Sequence, residues 1–165
     1  MGRSGSRAES RVDVLLVCSA GGHLMQLHLL REAWEEEGLL TAWVTLDRED
    51  ARTLLDGADV TFAFGPTTRN LLNLTRNSVL AWRLVRRRRP RAIVTTGAAL
   101  AVPFAWIGRL HGISVIYVES LTRTRRPSLS CRLVLPVVSR AYAQWPELAA
   151  ATPRMQFAGR VITAR

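Results

Sequence analysis

The sequence predicts an α/β domain: a doubly wound parallel sheet with helices on both faces. Three observations point there. Continuous apolar runs of strand length recur, among them VDVLLVC at 12–18, RAIVTT at 91–96 and ISVIYVE at 113–119, and unbroken apolar runs mark strands buried on both faces. Between them lie stretches with apolar residues on a helical stripe, the alternation that βαβ units produce. Gly/Pro-rich loops are few. With 165 residues, 48% of them hydrophobic, the chain has material for one core and one domain.

Each element follows from its local pattern. Residues 1–11, MGRSGSRAESR, are small, polar and charged and are expected to be a flexible tail, leaving 12–165 as the folded domain. The 12–18 run is the first strand. HLMQLHLLREAWEEEG, from His23, carries one helical stripe and stops at Gly38. TAWVTL and DVTFAF read as strands around a short polar helix near 48–56. A long helix is expected within 69–89, ended by Pro90, which cannot continue it. The strand RAIVTT, a helix over 99–110 and the strand ISVIYVE come next, and CRLVLPV and AYAQ complete the series as strand-like segments. Cys18 and Cys131 thus sit in apolar runs that read as strands and are expected to be reduced core thiols.

Charge narrows the partners. The chain has 23 basic and 13 acidic residues, a net charge of +10, and every basic residue is arginine. Such a surface favours phosphate-bearing partners: nucleic acid, anionic lipid or a sugar nucleotide. Nucleic acid fits least, because exposed aromatics interleaved with the basic residues are not evident. No cationic start leads into an apolar segment, and no apolar run approaches the roughly 20 residues that span a bilayer, so the chain is expected on the cytoplasmic side. No metal site is expected: neither cysteine has a Cys or His at ligand spacing, and His23 and His28 fall on different sides of a helix turn. No cofactor is expected either, since the glycine spacing is not G-x-G-x-x-G, which disfavours a nicotinamide.

In a sheet of this kind ligands collect at the carboxyl ends of the strands. Three places with unusual chemistry fall at that edge: Ser19 to His23, Thr95 to Ala98, and Glu119 with Ser120. Gly21 and Gly22 allow a tight turn that presents backbone N–H groups to an anion; the plainer reading is a turn alone. His23, at the helix start, is a candidate base for an attacking hydroxyl, or else a capping residue. Glu119 ends an apolar strand, where a buried carboxylate needs a partner; it would bind a sugar hydroxyl, orient a base, or pair with an arginine such as Arg123. In the helix before Pro90, Leu71, Leu74, Val79, Trp82, Leu84 and Val85 form an apolar face beside Arg76, Arg83 and Arg86 to Arg89. That combination suggests a membrane-surface element touching an anionic leaflet through Trp82, Arg83, Arg86 and Arg87; the alternative is a core helix with solvated arginines.

Taken in order, VCSAGGHL, Arg69 with Asn70, RPRAIVTTGAALAVPF, YVESLTRTRRPSLS and QWPEL resemble the PssD/EpsE-type bacterial polysaccharide-biosynthesis glycosyltransferase subunits. Those are similar to the eukaryotic acceptor-side (Alg14-like) subunit of the two-part enzyme that adds the second N-acetylglucosamine to a dolichol-diphosphate-linked sugar. The resemblance runs from Val12 to Val161. It implies a single Rossmann-like domain with a parallel sheet, equivalent to the N-terminal half of a GT-B glycosyltransferase, with the donor-binding half on a separate chain. MurG-like enzymes, which keep both halves on one chain, have a similar glycine-rich turn with His facing the cleft and the lipid-diphosphate acceptor.

By that likeness His23 is the candidate base, with Glu119 the second catalytic candidate. Ser19, Gly21, Gly22, Arg69, Asn70, Gly97, Ser120 and Arg123 would bind acceptor or phosphate, or hold the site's structure. In the family the extreme C-terminus helps hold the partner, so Val161 and Ile162 are the candidates for that contact. Two departures stand out: residues 1–11 are polar where many eukaryotic members begin with a membrane-spanning helix, and Cys131 replaces a common glycine.

The implied function is an acceptor-binding subunit, peripheral on the cytoplasmic face of the membrane, of an inverting transferase. It would move a sugar from a nucleotide-diphosphate donor to a polyprenyl-diphosphate-linked saccharide in exopolysaccharide or capsule assembly. The competing readings are a non-catalytic scaffold that recruits its partner and a self-sufficient small nucleotide-binding Rossmann protein.

Overall fold

A computed structural model describes residues 11–162; the flexible tail expected over 1–11 lies outside them except for Arg11. The strands are β1 (Val14–Val17), β2 (Thr41–Leu46), β3 (Val60–Ala63), β4 (Ala92–Thr95), β5 (Ser114–Val118), β6 (Arg140–Ala143) and β7 (Met155–Phe157). Between them run α1 (Gly22–Leu29), α2 (Glu32–Glu35), α3 (Glu49–Leu54), α4 (Leu71–Arg88), α5 (Ala101–Leu110), α6 (Leu129–Val134) and α7 (Pro146–Ala151). The sheet has seven strands in the order β3-β2-β1-β4-β5-β6-β7, all parallel. This is the α/β Rossmann-like fold the sequence predicts, and it puts every strand's carboxyl end on one edge.

Two apolar layers sandwich the sheet. On one face Phe104 and Ala105 of α5, Ala81 and Val85 of α4 and Cys131 and Val134 of α6 pack on Leu15, Val17, Ile93, Val115 and Tyr117. On the other, Leu24 and Leu27 of α1 and Ala51 of α3 pack on Val14, Leu16, Trp43 and Val94. Gly108 lets α5 lie close to β4, since a methyl there would come within 2.5 Å of Ile93 Cδ1.

Three local expectations are corrected, and one strand is added. The stripe from His23 to Gly38 is two helices, because the chain tightens at Leu30 and Arg31, whose N–H groups reach back three residues to Leu27 and His28. CRLVLPV is not a strand: Ser128 caps α6 by accepting from the Cys131 N–H at 3.1 Å. Cys131 is therefore a helical residue. The edge strand β7 is not foreseen by the sequence pattern, three residues being too few to show a period. In α4 the buried positions are Asn73, Asn77, Ala81, Val85 and Arg88, so of the expected apolar face Val85 alone is buried. Asn77 exchanges hydrogen bonds with both backbone groups of Phe64, Asn73 donates to the Pro66 carbonyl, and Arg88 pairs with Asp59 at 2.8 Å. Leu71, Leu72, Val79 and Trp82 consequently face outward.

Both thiols are fully buried. Burial pushes Cys18 up to about 12; burial, with the nearby Glu119 carboxylate adding to it, pushes Cys131 up to about 12. Neither is expected to react with a thiol reagent near pH 8 until the chain unfolds, a result that colorimetric titration with and without denaturant checks. Unfolded thiols ionise near 9.0, so from there to about 12 the unfolded state binds fewer protons and stability falls as pH rises. Each thiol lowers the folded-to-unfolded ratio by up to about tenfold per pH unit in that window.

Candidate functional site

The three segments singled out at the sheet edge are stapled together. Gly21 adopts φ 79° and ψ −139°, a backbone region that glycine supplies, and starts α1 there. Just inside the helix, His23 Nδ1 lies 2.7 Å from the Thr96 carbonyl, and the Thr96 hydroxyl donates to the His23 carbonyl at 2.8 Å. A carbonyl only accepts, so Nδ1 carries the proton and Nε2 of the neutral ring is the acceptor. Gln26, nearly one turn further on, donates to the Glu119 carbonyl at 2.9 Å and accepts from the Leu121 N–H at 3.2 Å. Helix α1 is thereby locked to the loops after β4 and β5.

Glu119 does not line the open edge. It is 0% exposed, and its carboxylate accepts from the Ser120 N–H at 2.9 Å, the Ser128 N–H at 2.8 Å and the Tyr117 hydroxyl at 3.2 Å. With its oxygens so engaged it is an anchor for the loop, which corrects the expectation that it touches substrate or pairs with Arg123. Burial, then the adjoining Glu119 charge, holds the Tyr117 phenol far above its ordinary ionisation range. Gly97 belongs to the same cluster. Its φ is +104°, a methyl there would stand 2.6 Å from Tyr117 Oη, and its N–H already donates to Thr95 Oγ1. It packs tightly, and its N–H is already taken.

Other expected contacts divide similarly. Asn70 caps α4, its side chain accepting from the Asn73 N–H at 2.9 Å. Arg69 precedes it at φ 52° and is exposed. Gly21 N–H is taken by Asp50 Oδ2 at 2.7 Å, whereas Gly22 is exposed, and a methyl added there would meet nothing within 4 Å. Ser19 is half-buried behind the turn, Ser120 Oγ lies 3.0 Å from Thr122 Oγ1, and the Arg123 side chain is exposed.

Residues that sequence reasoning misses hold the site in shape: Gln26, Tyr117, Ser128 and, from the QWPEL segment, Gln144 and Trp145. Trp145 donates to the Leu121 carbonyl at 2.7 Å, and Gln144 accepts from the Val161 N–H at 2.8 Å. Only the position of QWPEL after a strand hints at this.

Comparison with solved structures shows where the fold belongs. It superposes on the crystal structure of MurG from Acinetobacter baumannii with a TM-score of 0.71 at 14% identity, covering 88% of this chain and 45% of that one. A UDP-N-acetylglucosamine 2-epimerase from Neisseria meningitidis, bound to UDP-GlcNAc, gives 0.73 at 14% identity, covering 90% and 46%. The class is therefore a Rossmann-like half of the GT-B type, with its residue cluster at the carboxyl edge of the sheet.

The chain belongs to the family described as "oligosaccharide biosynthesis protein Alg14 like", whose model matches residues 63–161. Among relatives, the "UDP-N-acetylglucosamine transferase subunit ALG14" of Yarrowia lipolytica is 36% identical over 89 residues, 50% of this chain and 41% of that protein. The protein of the same name from Candida albicans is 34% identical over 82 residues, 46% and 37%. Over these matches the chain spans about two fifths of its relatives' length; against the Eremothecium gossypii protein it aligns at 26% identity across 98% of this chain and 85% of that one.

Proposed function

We propose that this chain is the acceptor-side subunit of a two-chain inverting glycosyltransferase acting on a polyprenyl-diphosphate-linked saccharide, in exopolysaccharide or capsule assembly. One observation carries the reading: His23, at the open edge of the sheet, has its Nδ1 tied to the Thr96 carbonyl at 2.7 Å, which leaves Nε2 to accept a proton. In the reaction the acceptor hydroxyl oxygen forms a bond to the anomeric carbon of the donor sugar. The bond from that carbon to the nucleotide diphosphate breaks, its electron pair leaves with the diphosphate, and His23 Nε2 takes the hydroxyl proton. The donor nucleotide is held by the partner, in keeping with the word "subunit" in the relatives' names.

The partner's place is suggested by an apolar groove of about 490 Å³ on the sheet face beside α1, lined by Leu30, Trp34, Val94, Ile116, Tyr142 and Val161 among others. Ile162 is exposed next to it. Together they are the surface against which the second chain packs.

Attachment to the cytoplasmic face of the membrane rests on α4. Among the described residues no helix is long and apolar enough to cross a membrane. The outward face of α4 instead carries Leu71, Leu72, Val79 and Trp82, with Arg83, Arg86 and Arg87 following, and Arg86 stacks 5.5 Å over Trp82. Leu72→Glu with Val79→Glu is expected to reduce co-sedimentation with phosphatidylglycerol vesicles by about tenfold or more, since each buried leucine-sized side chain contributes about 1.5–3 kcal/mol. Unchanged binding would remove α4 from the contact.

Reconstitution tests the whole reading. The chain, co-purified with its donor-side partner, is expected to transfer labelled sugar from a UDP-sugar to a polyprenyl-diphosphate saccharide, and neither chain alone to do so. Full-rate transfer by this chain alone, or tight nucleotide binding by it in isolation, would overturn the assignment.

A further inference from the structure

The loop between Glu119 and Ser128 is closed at its base and positive at its tip. Glu119 Oε1 accepts from Ser120 N–H and Oε2 from Ser128 N–H, so one buried carboxylate joins both ends of the loop. Leu121 is held on both backbone groups, its N–H by Gln26 and its carbonyl by the Trp145 indole. Ser128 Oγ caps α6 and lies 3.1 Å from the Tyr117 hydroxyl. The stretch from Thr122 to Arg126 is exposed, and it carries Arg123, Arg125 and Arg126. Among the described residues no carboxylate lies within ion-pair distance of these three guanidinium groups. Three like charges within four positions repel one another, and neither a helix turn nor a salt bridge offsets that here.

The other flank of the glycine turn carries two carboxylates, with Arg48 next to them. Asp50 occupies the Gly21 N–H, and Glu49 and Asp50 line the groove beside Gly21 and Gly22. With the Gly21 N–H taken and two carboxylates there, the α3 side suits an anion less than the side where the arginine loop, stapled to α1 by Gln26, stands.

We propose that Arg123, Arg125 and Arg126 form a diphosphate-binding wall of the site, and that Glu119 is the positioning residue that keeps this wall formed before the ligand arrives. The inference rests on the reading of this edge as the acceptor cleft, and names the group of the acceptor it holds. Guanidinium forks match phosphate oxygens in pairs, and a loop already fixed at both ends loses little further entropy on binding.

Amide hydrogen exchange and NMR titration of the full chain, with inorganic diphosphate as probe, test it. Wild-type amides of Ser120 and Ser128 are expected to exchange slowly, and diphosphate to shift the resonances of 121–127. Arg125→Gln with Arg126→Gln is expected to weaken binding by about tenfold or more with those two amides still protected, and Arg125→Lys with Arg126→Lys to recover part of the affinity. Glu119→Gln puts an amide where an acceptor is needed; it is expected to speed exchange at Ser120 and Ser128 and to weaken diphosphate binding, while the β1 and β4 amides stay protected. The arginine variants touch no packed group, so they decide the matter even if Glu119→Gln does not fold. Wild-type affinity in the double Gln variant, or in a folded Glu119→Gln protein, overturns the proposal. Shifts confined to Gly22–Leu24 overturn it and leave the cleft reading standing; no shift at either place overturns both.

Discussion

His23→Asn is expected to cut turnover of the reconstituted two-chain enzyme by about 10²- to 10⁴-fold, the range a positioned general base supplies, with complex formation and melting temperature unchanged. Asparagine is the informative choice. Its Nδ2 branches from the same carbon as the imidazole Nδ1, so it can keep the donation to the Thr96 carbonyl that now spans 2.7 Å. What it lacks is any atom at the Nε2 position. His23→Ala removes both, and leaves the carbonyl of the fully buried Thr96 without its side-chain donor, a loss of about 1–3 kcal/mol that would mix stability with chemistry. Near-normal turnover in the asparagine variant, measured with labelled donor at saturating acceptor, would make His23 a latch between α1 and the β4 loop and leave the chain as a scaffold for its partner.

Gly97→Ala is expected to be the most destabilising single methyl in the site. The new Cβ would sit 2.6 Å from Tyr117 Oη and 3.4 Å from Ser130 Oγ, on a backbone with φ +104°. The conformation costs an alanine roughly 1–3 kcal/mol, and moving Tyr117 roughly 1–3 more. At about 2–4 °C per kcal/mol for a chain of this size, the melting temperature should fall by about 4–24 °C. Because Tyr117 donates to Glu119, the loop up to Ser128 should loosen with it. Gly22→Ala is the control: with nothing within 4 Å of its methyl and no positive φ, it should melt within about 2 °C of wild type. A Gly97→Ala protein as stable as that control would remove the close-packing account of this glycine.

The path from sequence to site is open in some places and closed in others. The residues Ser19–His23, Thr95–Ala98 and Glu119–Ser120 are identifiable as one edge because a parallel sheet sends every strand's end the same way. Their meeting needs only topology. What each side chain does there depends on neighbours distant in the chain. Glu119 and Arg123 are four apart and read as an ion pair, yet the carboxylate turns inward to N–H groups of Ser120 and Ser128, since a buried acceptor gains more from fixed donors than from a solvated arginine. Gly21 reads as open to an anion, and Asp50, 29 residues on, already fills its N–H.

The sequence by itself determined the alternation of buried strands and helices, the single-domain size, the arginine-only positive surface and the histidine at the first turn, because apolar period and residue chemistry are local properties. Only the tertiary structure decided which face of α4 turns inward, that Cys131 lies in a capped helix, and that Glu119 anchors a loop. Asn73 and Asn77 point inward because Phe64 and Pro66 bring backbone groups that need partners there, and the apolar run after Ser128 becomes a helix whose Cys131 N–H that serine caps. Hydrogen-bond demand is set by whatever folds alongside, and no period in a single segment records it.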